Sequence, residues 1–137
     1  MKLVTVTAVL VCALATAFGA QAARGSTVIR FISVQVSQKQ TGESSFVIND
    51  NDLINGKKVG HDTLTCKLLS QTKASCSIVI VLPGGKLNAK FVLPFSAMSG
   101  KGTVTGGSGK YAGAKGSFAF KNLNAKGTRT SVVVTLA

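Results

Sequence analysis

The sequence predicts an all-β chain of about eight short strands, closed as a barrel or stacked as a sandwich. Three observations carry that expectation. Apolar residues recur at every second position nearly throughout, the period of a half-buried strand. Tight-turn residues punctuate the runs at Asn55-Gly56, Pro83-Gly84-Gly85, Ser99-Gly100 and Lys126-Gly127. Fifteen Gly, seven Phe, no Trp and only 15% charged residues suit a turn-rich β protein and not a helical bundle. The 137 residues leave room for one domain, and 45% hydrophobic content excludes a disordered chain.

The first segment stands apart. Lys2 precedes an apolar run from Leu3 to Phe18, followed by Gly19-Ala20-Gln21-Ala22. Small residues at Ala20 and Ala22 fit the narrow subsites of a signal peptidase, so residues 1–22 read as a signal peptide cleaved after Ala22. The expected destination is outside the cell, with residues 23–137 as the mature domain. No later stretch approaches the length of a spanning segment.

Strand by strand, Val28, Ile32, Val34 and Val36 fall on one face of residues 27–36 and are its expected apolar side. A short segment at 44–49 is followed by Leu64, Cys66 and Leu68, alternating with Thr63, Thr65 and Lys67. Cys76, Ile78, Ile80 and Leu82 form the next inner set, then Leu87, Ala89, Phe91 and Leu93. A short segment at 102–105 precedes Phe118 and Phe120, and Val132, Val134 and Leu136 close the chain. No sustained helical period occurs after residue 22.

Cys12 leaves with the leader, so Cys66 and Cys76 remain as an even pair in an oxidising compartment, and a disulfide is expected. With only His61 nearby, the pair is too poor in ligands for a structural zinc site. If Cys66 faces Cys76 in a hairpin, Leu64 faces Ile78 and Asp62 faces Ile80, with the turn at 70–72. Directly opposed residues of an antiparallel pair share a face, and the two cysteines, Leu64 and Ile78 all belong to the apolar set.

The run TGGSGKYAGAKG at 105–116 is the most distinctive. A dinucleotide fingerprint would need a following helix and a later acid, and no acid occurs beyond Asp62. A phosphate loop would need Ser or Thr after Gly109-Lys110, where Tyr111 stands. The run reads instead as a tight loop between strands. Gly106, Gly107, Gly109 and Gly116, with Lys110, Tyr111 and the Ala114-Lys115 pair, resemble the GGTG-x-[FY]-x-x-A-[RK]-G loop of dirigent proteins. Val59-Gly60, the cysteine pair and Leu82-Pro83-Gly84-Gly85-Lys86-Leu87 are similar to secreted dirigent-like proteins of microbes.

That resemblance, over roughly residues 44–137, implies an eight-stranded antiparallel barrel of the dirigent and allene oxide cyclase kind. It implies a hydrophobic cavity, an oligomer in many members, and a bound hydrophobic small molecule that is positioned or stereochemically steered, with no cofactor. The family loop maps ligand binding onto Tyr111, Lys115 and Lys110. The plant proteins use an Asp in an early strand, which 27–36 lacks, and an acid in the loop, where Lys110 stands. Any turnover, of isomerase or cyclase type, must therefore draw on other acids.

All four acids, Glu43, Asp50, Asp52 and Asp62, lie between positions 43 and 62. Asp50, Asp52 and Glu43 are the catalytic candidates, since a carboxyl inside an apolar cavity has a raised pKa. The Asp50–Asp52 stretch otherwise reads as a solvated turn. It lacks the glycine that a calcium loop needs at its sixth position, where Asn55 stands, and no metal site is expected. His61 and Asp62, adjacent in a strand, point to opposite faces.

Sixteen Lys and Arg against four acids give a net charge of +12. Lys67, Lys86, Lys90 and Lys121 sit on polar strand faces, which makes an acidic polymer (wall polysaccharide, anionic lipid or nucleic acid) the alternative partner for a non-enzymatic surface protein.

Overall fold

A computed structural model describes residues 26–137; the leader, its cleavage position and Cys12 lie outside the described residues. Eight strands follow in order: β1 (Thr27–Gln40), β2 (Ser45–Ile54), β3 (Lys57–Leu68), β4 (Lys73–Leu82), β5 (Gly85–Pro94), β6 (Ser99–Gly109), β7 (Gly116–Asn122) and β8 (Arg129–Leu136). Each pairs antiparallel with its neighbour and β8 closes on β1, so the sheet is a closed barrel and not a sandwich. Closure leaves no free edge, which suits strands joined by short turns.

The hairpin of β3 and β4 has the expected register: Cys66 opposite Cys76, Leu64 opposite Ile78 and Asp62 opposite Ile80. The Cys66–Cys76 disulfide is formed and buried inside the barrel.

Three expectations need correction. In β1 the inner residues are Phe31 and Ser33, with Ile29 packed behind them, while Val28 and Val36 face outward. The apolar valines fit the outer surface because β-branched side chains suit either face of a pleated strand. A bulge between Gln35 and Ser37 then shifts the alternation, so Gln38 lies opposite Ile48. Second, Asp50 and Asp52 are not in a turn: β2 runs through them to Ile54, where Asn55 and Gly56 turn with positive φ. Third, the glycine-rich run is a loop only over residues 110–115, since Gly106, Gly107 and Gly109 belong to β6 and Gly116 opens β7.

The glycines of β6 have a packing role. Gly100 and Gly102 sit opposite Phe120 and Phe118 in the register. A Cβ at Gly100 would lie 2.6 Å from the Phe120 ring, so its missing side chain makes room for that ring, while one at Gly102 would meet the Lys90 carbonyl and Phe91 Cβ of the neighbouring strand. Phe91, Phe118 and Phe120 form a cluster with centroids 5.1 to 6.2 Å apart.

The barrel has two unlike ends. At one, the turns at 55–56 and 83–84 and the loop at 110–115 cap a filled interior of Phe31, Ile80, Leu82, Leu87 and Val134. At the other, the hairpins at 41–44, 69–72, 95–98 and 123–128 surround an opening.

Candidate functional site

The opening leads into a cavity of about 260 Å³. One wall is polar, built by Ser33, Gln35 and Gln38 of β1 and Asp50 of β2. The facing wall is the aromatic cluster of Phe91, Phe118 and Phe120. Phe95, Asn122, Lys126 and Thr128 form part of the rim.

Strand register collects three carboxyls at the cavity floor. Asp50 lies opposite Asp62 across β2 and β3, and opposite Gln35 on the other side. Asp52, one inward step deeper, lies between Ser33 on β1 and Gly60 on β3. Ser33 Oγ donates a 3.0 Å hydrogen bond to Asp62 Oδ2. Both carboxyl oxygens of Asp52 and Oδ1 of Asp62 have no hydrogen-bond partner, although Asp52 is 0% and Asp62 1% exposed.

Buried charge without a partner shifts its pKa so as to become neutral. Burial first, and then the charge of Asp62, pushes Asp50 up to about 7. Asp62 is pushed up to about 8, by burial first and then by the neighbouring Asp52 carboxyl. Burial raises Asp52 as well. Carboxyls crowded together out of water cannot all ionise at once, so the cluster holds on to protons toward neutral pH. Carboxyl groups that titrate near neutrality both donate and accept protons there, which is what general acid–base chemistry requires. Among the described residues no group of three or more His, Cys, Asp or Glu side chains is arranged to hold a metal ion.

Of the expected catalytic carboxyls, Asp50 lines the cavity and Asp52 lies buried beside it. Glu43 does not join them; it is exposed in the 41–44 hairpin, beside a separate shallow pocket formed with Gln40 and Leu68. Asp62 joins them without being an expected catalytic residue, although the hairpin register sets it opposite Ile80, on the inner face. Ser33 gave no signal, since its strand reads with the opposite face inward.

The 110–115 loop lies at the filled end, and neither Tyr111, Lys110 nor Lys115 lines the cavity. Tyr111 packs against the core, and Lys110 Nζ stands 5.3 Å from its ring centroid. The exposed lysines do not form one face: Lys67 and Lys121 lie toward the open end, Lys86 toward the filled end and Lys90 between them.

No family model and no curated protein matches this chain. Solved structures do match in fold. A pyocyanin demethylase is 18% identical with a TM-score of 0.68, over 81% of this chain and 100% of its own. A pterocarpan synthase dirigent protein is 15% identical with a TM-score of 0.63, over 82% of this chain and 86% of its own. A Diels-Alderase from Streptomyces koyangensis is 12% identical with a TM-score of 0.62, over 96% and 83%. The chain therefore shares the barrel fold of dirigent proteins and related cyclases, and at these identities the likeness is one of fold.

Proposed function

We propose that the barrel binds a small, largely apolar, unsaturated molecule in its cavity and steers a proton-dependent step on it through Asp50. The observation that carries this reading is a carboxyl, Asp50, that lines an aromatic-walled cavity and is backed by two further buried carboxyls, Asp52 and Asp62. At about 260 Å³ the space falls just below the usual range for small-molecule pockets, which begins near 300 Å³. It suits a compact ring system, or one end of a longer molecule whose remainder projects through the mouth.

The aromatic wall fixes the plane of a flat ligand by offset stacking. Protonated Asp50 then donates a hydrogen bond to a carbonyl or quinone-type oxygen and stabilises negative charge as it develops there. Asp62, opposite Asp50 in the register, and Ser33, which hydrogen-bonds Asp62, act as positioning residues. Shape and placement supply selectivity, because a ligand held in one pose has one favoured closure or addition. The solved barrels of this fold include proteins described as a demethylase, a dirigent protein and a cycloaddition catalyst, and this range supports a ligand-handling role without naming the ligand.

An aryl ketone titrated against its hydrocarbon counterpart tests the reading. The ketone should bind more tightly at about pH 6 and lose that advantage as pH rises through about 7, where Asp50 gives up its proton. Asp50→Asn should keep hydrocarbon binding and abolish the pH dependence. Equal affinity for both probes at every pH would refute the role of the carboxyl.

A further inference from the structure

Exposed valines (Val28, Val36, Val79, Val92) are dotted singly along the strands, but the larger exposed apolar side chains gather at one end of this barrel. Leu69 (56% exposed), Phe95 (47%), Met98 (48%) and Leu123 (48%) all lie on three hairpin loops at the open end. At the turns of the filled end, only Ile54 is comparably bare among large apolar residues. The three loops are tied together: Phe95 N–H donates to the Thr72 carbonyl at 2.9 Å, and Asn122 N–H to the Met98 carbonyl at 2.6 Å. They therefore hold their apolar tips as one crown around the mouth, and Phe95 belongs both to the crown and to the cavity lining.

Charge completes the pattern. Lys67, Lys73, Lys101, Lys121, Lys126 and Arg129 lie within a few residues of these loops. Because Asp50, Asp52 and Asp62 point into the barrel, Glu43 is the one exposed acid, and it sits on the fourth hairpin, which has no large apolar residue. An apolar tip ringed by cations is the pairing that suits an anionic bilayer, where side chains enter the acyl boundary while lysines meet headgroups.

We propose that the open end docks on an anionic lipid surface, with Leu69, Phe95, Met98 and Leu123 inserted and the neighbouring lysines on the headgroups. The mouth then faces the bilayer, so a membrane-dissolved ligand enters the cavity without crossing water. That last clause rests on the cavity reading; the docking does not.

Vesicle flotation tests the docking without any ligand. The protein should float with phosphatidylcholine vesicles containing phosphatidylglycerol, and less so with phosphatidylcholine alone or at high salt. The triple variant Leu69→Ser, Met98→Ser, Leu123→Ser touches no cavity-lining residue and should lose about tenfold or more in vesicle affinity, with its thermal unfolding retained. The filled-end variant Val28→Ser, Ile54→Ser should bind as the parent does. Equal binding by both variants would mean plain adsorption of a polycation and overturn the proposal. So would absence of vesicle binding, or a dimer that the triple variant converts to monomer, since a second copy would then cover the crown.

Discussion

A carboxyl group moved out of water loses several kcal/mol of hydration unless it pairs or keeps its proton, and the interior offers Asp52 and Asp62 almost no pairing. Proton retention has a consequence for stability. In the unfolded chain these groups titrate near 3.8, whereas in the fold Asp50 and Asp62 hold their protons to about 7 and about 8. Between those limits the folded state binds more protons, so the contribution of these groups to stability is full below about pH 4 and is lost as pH rises through about 8. The melting temperature should fall over that window. Asp62→Asn keeps the shape and an acceptor for Ser33 while removing the ionisation. It should flatten the profile and raise the melting temperature at pH 8 by roughly 5 °C. An unchanged slope between acid and alkaline pH would show that these carboxyls ionise freely in the fold.

At the scale of strands, the β3–β4 hairpin is held at its open end by the Cys66–Cys76 bridge, with a sequence separation of 10. Replacing both cysteines by alanine should cost about 2–3 kcal/mol, read as a lower denaturation midpoint. In β6, Gly100→Ala should push the Phe120 ring into the cavity, at a cost of about 1–3 kcal/mol and with weaker binding of the hydrocarbon probe. These two elements differ in how readable they were. The hairpin was legible to the residue because apolar alternation, an even cysteine pair and a turn of natural length all set one register. β1 hides its inner face in the sequence because its valines outnumber its inner apolar residues, and a bulge breaks the period that periodicity relies on. The sequence shows only the first part of β2, because Asn and Asp disfavour strands in general. Here barrel pairing on both sides overrides that preference, and the residues that break the local rule are the ones that build the site.

At the scale of the whole molecule, the fold turns three of the four acids inward and leaves a basic exterior. The eight-stranded barrel could be read from alternation, turns and the glycine motif together. The position of the cavity could not, because the motif lies at the filled end while the opening lies at the other, and only closure of the sheet shows which end is packed. The central claim is that a carboxyl cluster which keeps its protons toward neutral pH stands behind that cavity and faces it through Asp50. Carbon NMR of labelled aspartate side chains, followed through a pH titration, tests it most directly. The account predicts resonances for Asp50 and Asp62 that titrate near 7 and 8, with Asp52 also above the ordinary range and Asp50 perturbed by an added aryl ketone. Three carboxyls all titrating near 4, indifferent to the ketone, would contradict it.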